Sequence, residues 1–120
     1  MIAIDVLWLE WARRRLAGVQ VDLVTMGSPF THLYQYYFPN RYPPLFVGNN
    51  LHTQEWGSDL DSTVNCWLNI YRVDDFVGTH IDGRGLGTFP SNRCIPADGH
   101  TGYWHQREAL QAMSECLPGR

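Results

Sequence analysis

A chain of 120 residues with 44% hydrophobic and 18% charged residues has the size and composition of one small globular domain. Its formal net charge is −3, and it lacks the basic patch or stripe that usually marks a nucleic-acid-binding domain, so we expect no nucleic-acid partner. No run approaches the about 18 apolar residues that span a bilayer, and no signal peptide is visible, so the compartment stays open with the cytoplasm as the default expectation.

The first predicted element is a helix over residues 2–18, IAIDVLWLEWARRRLAG. Its first half is apolar on nearly all sides, which is typical of a helix buried in something larger. Arg13 to Arg15 favour its carboxyl end and a solvated face, and Gly18 suits its stop. No Ser, Thr, Asp or Asn precedes the apolar run, so no N-cap is visible at the start.

Two strands are predicted to form a parallel sheet. VQVDLVTM, residues 19–26, follows the first helix at once and runs into the abrupt loop GSPF. VNCWLNIYR, residues 64–72, predicts the second strand, and residues 31–38 predict a short helix between the two. A helix followed directly by a short apolar strand is typical of an α/β unit with a parallel sheet.

Two long loops and a final helix complete the predicted elements. Residues 39–63 are rich in Pro, Gly, Asn and Asp and predict a connection packed by its own apolar side chains, of which Tyr42 is the first. Residues 79–98 predict a second loop, and HQREALQAMSEC, residues 105–116, predicts an amphipathic helix. We expect the aromatic run at residues 34–38 to pack as a satellite core, with an acyl pocket as the alternative.

The three cysteines, Cys66, Cys94 and Cys116, are odd in number and contain no CxxC pair. This pattern argues against a disulfide framework and against a thiolate zinc site. A metal site built from the pairs His80-x-Asp82 and His100-x4-His105 is the rival chemistry, but zinc sites show tighter and repeated Cys/His spacing. We therefore expect neither a metal nor a cofactor.

A carboxylate and a histidine follow the predicted strands in an order that suits catalysis. Asp74 and Asp75 come just after the second strand, and His100 lies on a later loop within GHTGYW. Sites in open α/β sheets form at the carboxyl ends of the strands. The order is the back half of Ser…Asp…His, in which the histidine takes a proton and the carboxylate orients its ring. A packed turn histidine is the alternative, and Asp82 and Asp98 are further candidate partners.

Three short motifs together resemble the C-terminal part of lipase-like α/β-hydrolases, in the class 3 lipase group and its bacterial relatives. VDLVTMGSPF resembles the strand and G-x-P turn that follow the nucleophile helix there, and WLNIYRVDDFVG is similar to the strand that ends in the catalytic D-x-V. GHTGYW resembles the loop of the catalytic histidine. The resemblance covers about residues 2–104 and implies catalytic roles for Asp75 and His100.

The chain departs from this family at the nucleophile. The family places its serine in G-x-S-x-G before a buried helix, and no such motif is present. The resemblance implies that the serine lies just upstream of Met1, which puts residues 1–4 within roughly 10 Å of His100. Ser28 in MGSPF follows a strand but precedes no clear helix, so we interpret it as a turn residue and not as the nucleophile.

The resemblance implies a partial α/β-hydrolase fold, with a short parallel sheet, flanking helices and long loops, over a single domain at residues 1–120. We expect the C-terminal portion of a serine esterase or lipase, which takes a small-molecule or lipid ester when complete and is inactive alone. The missing N-terminal half or a partner chain would cover the exposed, apolar sheet edge of the first strand. The alternative is a non-catalytic domain that binds a partner through that edge.

Overall fold

The computed structural model describes residues 9–42, 64–82 and 90–117. In chain order the elements are α1 (Glu10–Arg15), β1 (Val21–Met26), a π-helix (Phe30–Gln35), β2 (Val64–Tyr71), β3 (Ser91–Cys94), a 3-10 helix (Tyr103–His105) and α2 (Arg107–Cys116). The described part is therefore of the α/β class, a short three-stranded parallel sheet with flanking helices. No helix in these ranges has the length and apolar character needed to cross a membrane.

The sheet has the order β1-β2-β3, and both neighbouring pairs are parallel. The predicted parallel pairing of the two apolar strands is confirmed, with Val24 opposite Leu68. No described strand pairs with the other edge of β1. All three strands therefore direct their carboxyl ends to one side of the sheet, where the loops that follow them can meet.

Strand β3 lies inside the segment that the sequence predicts as a loop over residues 79–98. That prediction is wrong for Ser91–Cys94, which form a strand. All four residues are exposed and carry no apolar alternation, so the sequence pattern did not indicate a strand there. Tertiary contacts form this strand instead. Asn69 and Asn92 face each other in register, and Asn92 Oδ1 accepts hydrogen bonds from Asn69 Nδ2 at 2.9 Å and from the N–H of Ile81 at 2.8 Å.

Helix α1 lies within the predicted helix, whose residues 2–8 are outside the described residues. The predicted approach of residues 1–4 to His100 is therefore also outside them. Gly18 has a φ of +83° just beyond the last turn, in agreement with its predicted role as the stop. Trp11 is 59% exposed, so the burial predicted for this stretch is absent at that position.

The core forms two clusters on the two faces of β2. One cluster contains Leu23, Phe30, Tyr42, Val64, Trp67 and Ile81. The other contains Leu68, Ile70, Ile95, Tyr103, Ala109 and Ala112. Small residues on α2 belong to the second cluster, which lets this helix lie close against the sheet. The sheet between the clusters thus fixes the ends of β2 and β3, from which the chain continues into the site described below.

The predicted aromatic packing is present only in part. Tyr42 is buried and Tyr34 packs edge-on against it, with 5.2 Å between their ring centroids. Tyr36, Tyr37 and Phe38 are exposed, so the expected satellite core is wrong for these three. The remaining predicted core of the connection, over residues 43–63, lies outside the described residues.

A disulfide joins Cys66 to Cys116 and so fastens the end of α2 to the start of β2. The cysteine count argued against disulfides, and that expectation is wrong for this pair. The two residues are 50 positions apart, and only the packing of α2 on the sheet brings them together. Cys94 is free and exposed.

Candidate functional site

Asp75 and His100 meet at the carboxyl end of the sheet. Nδ1 of His100 lies 2.9 Å from Oδ1 and 3.0 Å from Oδ2 of Asp75, so the predicted contact between the two side chains is confirmed. Asp74 points elsewhere and accepts a hydrogen bond at 2.8 Å from the N–H of Gly99. Asp98 is exposed and accepts from Gln106 Nε2 at 3.4 Å. These two carboxylates support the histidine loop from outside, while Asp75 holds the ring.

The turn after β2 fixes the carboxylate of Asp75. Its Oδ1 accepts hydrogen bonds from the N–H of Val77 at 3.0 Å and from the N–H of Gly78 at 2.9 Å. Its Oδ2 accepts one from the hydroxyl of Tyr103 at 2.8 Å. The side chain is fully buried, so both oxygens depend on protein donors in place of water. The carboxylate is therefore held in one orientation toward the ring of His100.

Hydrogen bonding decides the charge state of this carboxylate. Burial alone would raise the pKa of Asp75, but hydrogen bonds from Gly78, Tyr103, His100 and Val77 outweigh it and hold the pKa below its ordinary value. Burial and the adjacent Asp75 raise the pKa of Tyr103, so its hydroxyl stays protonated and donates. At neutral pH the site therefore contains an anionic carboxylate with a permanent phenol donor.

His100 is presented between this buried carboxylate and the surface. Its side chain is 46% exposed, while that of Asp75 is fully buried. When Nδ1 carries the proton and donates it to Asp75, Nε2 keeps a free lone pair; this tautomer is assigned from the hydrogen-bond network. Nε2 makes no hydrogen bond within the described ranges. A histidine held in this way can act as a base toward a group at the surface.

Two glycines allow the loops to approach closely. Gly27, directly after β1, has a φ of +54°, and a β-carbon there would lie 2.9 Å from Asp75 Oδ2 and 3.3 Å from His100 Cε1. A β-carbon on Gly78 would lie 2.2 Å from the Cα of Gly27. No side chain fits at either position without displacing the site. The G-x-P turn in the sequence marks Gly27 as a turn residue but does not reveal this contact.

Arg72 is a buried cation beside the histidine loop. It is 1% exposed, and its Nη1 donates to the carbonyl oxygens of Asp98, Gly99 and Thr101 at 3.1, 2.7 and 2.6 Å. Its guanidinium carbon lies 4.1 Å from the centroid of the Tyr103 ring. The motifs do not indicate a role for Arg72 or Tyr103. The available signal for Arg72 was a charged residue at the end of an otherwise mostly apolar strand.

A row of polar side chains crosses the sheet beneath the site. Thr25, Asn69 and Asn92 lie in register on the three strands. Thr25 Oγ1 donates to Asn69 Oδ1 at 2.9 Å, and Asn69 Nδ2 donates to the carbonyl of Thr79 at 3.0 Å. This row ties the segment that follows the Asp75 turn to the sheet. Single polar residues within strands gave no sequence signal for such a network.

Among the residues that the structure describes, His100 makes no hydrogen bond to a hydroxyl or thiol group. Ser28 is only 6% exposed, and its carbonyl oxygen accepts a hydrogen bond from the N–H of Thr79 at 3.4 Å. This position in a turn beside the site agrees with the interpretation of Ser28 as a turn residue. Over residues 9–42, 64–82 and 90–117, no three side chains of His, Cys, Asp or Glu converge to hold a metal ion. The rival pairs at His80 and His105 thus receive no support there.

No family model, no curated protein and no solved structure matches this chain.

Proposed function

We propose that Asp75 and His100 are the acid–base half of a Ser-Asp-His site that hydrolyses esters. The observation that carries this proposal is the contact of 2.9 Å between His100 Nδ1 and a buried carboxylate whose pKa is lowered. In a triad the carboxylate holds the imidazole in the required tautomer and stabilises its charged form. The pair also stands at the carboxyl end of a parallel sheet with the ring 46% exposed, which suits a general base better than a packed turn histidine.

The topology around the pair supports a partial α/β-hydrolase fold. Asp75 follows the middle strand β2, and His100 follows β3 and precedes α2. The hydrolase order of nucleophile, acid and histidine along the chain puts the acid and the histidine on successive loops at the carboxyl edge of a parallel sheet. The three motifs occur in that same order, which favours this fold over an unrelated three-stranded α/β unit.

The chemistry proceeds in two steps once a serine is present. Nε2 of His100 accepts the hydroxyl proton while the serine oxygen bonds to the ester carbonyl carbon, and His100 then protonates the departing alkoxide. Water repeats the sequence on the acyl-enzyme and releases the acid. Asp75 stays ionised and balances the imidazolium in each step. A small-molecule or lipid ester is the substrate class, and the reaction needs no cofactor.

The nucleophile has to come from outside the described residues. We propose that it precedes α1, in a longer chain of which these 120 residues form the C-terminal portion. Alone, this portion binds no acyl group covalently and hydrolyses no ester. A serine presented at the start of the first helix would face the carboxyl edge of the sheet, where the half-exposed ring of His100 lies.

A non-catalytic partner-binding domain is the second candidate. It is favoured by β1, a six-residue strand with no partner on its outer edge among the described residues. An open strand edge presents unpaired N–H and C=O groups to another chain. In this alternative, Asp75 and His100 would be a retained pair that no longer serves a reaction.

The 5′ sequence of the native transcript discriminates between the two candidates. An in-frame G-x-S-x-G shortly before the codon for Met1 supports the hydrolase, and the longer chain should then react with a fluorophosphonate probe at that serine. His100→Gln in the longer chain should abolish the labelling, while replacement of the exposed His105 should not. A transcript whose translation starts at Met1 contradicts the hydrolase and favours partner binding.

A further inference from the structure

The side chain of Arg72 makes three hydrogen bonds to the backbone of the loop that carries His100. Nη1 of Arg72 donates to the carbonyls of Asp98 and Gly99, which precede the histidine, and to that of Thr101, which follows it. We infer that Arg72 is the positioning residue of His100, which keeps the ring on Asp75 with its proton on Nδ1. This inference rests on the proposed function of the pair and adds a residue that acts through the loop backbone.

One strand end sets the position of both partners. Arg72 directly follows β2, and its carbonyl accepts a hydrogen bond at 3.3 Å from the N–H of Asp75. The backbone of Arg72 therefore begins the turn that carries the carboxylate, while its guanidinium holds the loop that carries the ring. Arg72 thus contacts both segments that set the distance between Asp75 and His100.

Tyr103 closes this arrangement on the opposite side. The guanidinium of Arg72 stacks over the ring of Tyr103, and the hydroxyl of Tyr103 donates to Asp75 Oδ2. A planar guanidinium can stack on an aromatic ring and donate to carbonyls in its own plane at the same time, which an ammonium group does less well. The geometry therefore uses features that are specific to arginine.

Packing alone does not explain a buried arginine at this position. Its side chain has no exposed surface, and the nearest described carboxylate in an ion pair is that of Asp98, with Oδ2 3.8 Å from Nη2. Burying a cation costs desolvation, which an apolar side chain of similar size would avoid. The convergence of three carbonyls on one nitrogen is a positioning arrangement, and its benefit lies in the orientation of His100.

The tautomer of His100 provides the test, because it reports ring orientation and needs no nucleophile. Long-range ¹H–¹⁵N correlation on the ¹⁵N-histidine-labelled chain should show the proton on Nδ1 in the wild type. Asp75→Asn and Arg72→Met should both convert the ring to a mixture with the Nε2–H form, and Arg72→Lys should give a smaller loss. Arg93→Met removes an exposed arginine paired with Glu115 and is the matched control, expected to leave the tautomer unchanged.

The pattern of outcomes separates this inference from the proposed function. If Asp75→Asn changes the tautomer and a folded Arg72→Met does not, Arg72 is only structural and the inference is overturned. If Asp75→Asn also changes nothing, the pair itself fails, and the proposed function with it. If Arg72→Met does not fold, Arg72→Gln, which keeps one side-chain amide donor, is measured instead. A partial loss of the Nδ1–H form in Arg72→Gln supports the positioning role of Arg72, and an unchanged tautomer overturns that role.

Discussion

Gly27 lies against the carboxylate of Asp75 so closely that a β-carbon on Gly27 would stand 2.9 Å from Oδ2. The same atom would stand 3.0 Å from Cε2 of Tyr103 and 3.3 Å from Cε1 of His100. The end of β1 thus forms one wall of the site, although it contributes no side chain there. This contact links the packing of the sheet to the geometry of the pair.

Gly27→Ala should therefore damage the site as well as the fold. Gly18→Ala is the matched control, since Gly18 also has a positive φ but its β-carbon would meet nothing within 4 Å. The control should lose about 1 kcal/mol of unfolding free energy from backbone strain alone. Gly27→Ala should lose more in urea unfolding and should shift the His100 tautomer. If both variants lost the same unfolding free energy and the His100 tautomer were unchanged in Gly27→Ala, the close contact of position 27 with Asp75 would not constrain the site.

The ionised state of Asp75 predicts the direction of acid sensitivity. Its pKa is lower in the folded chain than the ordinary value of 3.8, so the unfolded chain binds more protons as the pH falls through this region. The stability from this group is present above pH 3.8 and is lost as the pH falls toward the lower folded value. Urea unfolding between pH 6 and acid pH should show a shallower decline for Asp75→Asn than for the wild type. If the unfolding free energies of Asp75→Asn and the wild type fell in parallel with pH, the lowered pKa of Asp75 would be contradicted.

The hydroxyl of Tyr103 is one of the donors that keep Asp75 ionised. Tyr103→Phe removes this donor and keeps the ring beneath Arg72, so the pKa of Asp75 should rise. Carboxyl ¹³C chemical shifts measured against pH report this change directly. Tyr36→Phe removes a hydroxyl from a side chain that is 74% exposed and is the control. An unchanged Asp75 titration in Tyr103→Phe would mean that the backbone donors suffice.

Sequence patterns were sufficient to predict that Asp75 and His100 lie together, but not to predict the residues and the strand that hold them in place. Asp75 and His100 follow strands in a recognisable order, and β1 and β2 are apolar runs that alternate with loops. Arg72 was not predictable, because its role depends on three carbonyls that lie 26, 27 and 29 residues later in the chain. Strand β3 gave no sequence signal for a related reason, since its residues are exposed and its pairing is with β2, a strand distant in the sequence.

The disulfide should stabilise the fold without shaping the site. Cys66→Ser, or reduction of the wild type, should lower the unfolding free energy by about 2–4 kcal/mol, because the bridge closes a long loop. Cys94→Ser changes the free thiol and should alter stability little. Denaturant unfolding with and without reductant measures both. Stability that does not respond to reductant would contradict the bridge between Cys66 and Cys116.

The chain of 120 residues should show no esterase activity of its own. Hydrolysis of short-chain p-nitrophenyl esters should be no faster than with the double variant Asp75→Ala, His100→Ala, because the remaining pair has no serine to activate. A clear loss of rate in the double variant would reveal a nucleophile within the chain. Ser28→Ala would then test the serine that lies beside the site.

The most direct measurement is the esterase kcat of the longer chain that carries the upstream serine, compared with its Asp75→Asn and His100→Gln variants. We predict a wild-type rate that falls by on the order of 10⁴-fold in each variant, since the wrong tautomer or a missing base disables the serine. Both variants should remain folded and should bind substrate. Activity that persists in either variant, or a transcript that encodes no such serine, would contradict the assignment of Asp75 and His100 as the acid–base half of a hydrolase.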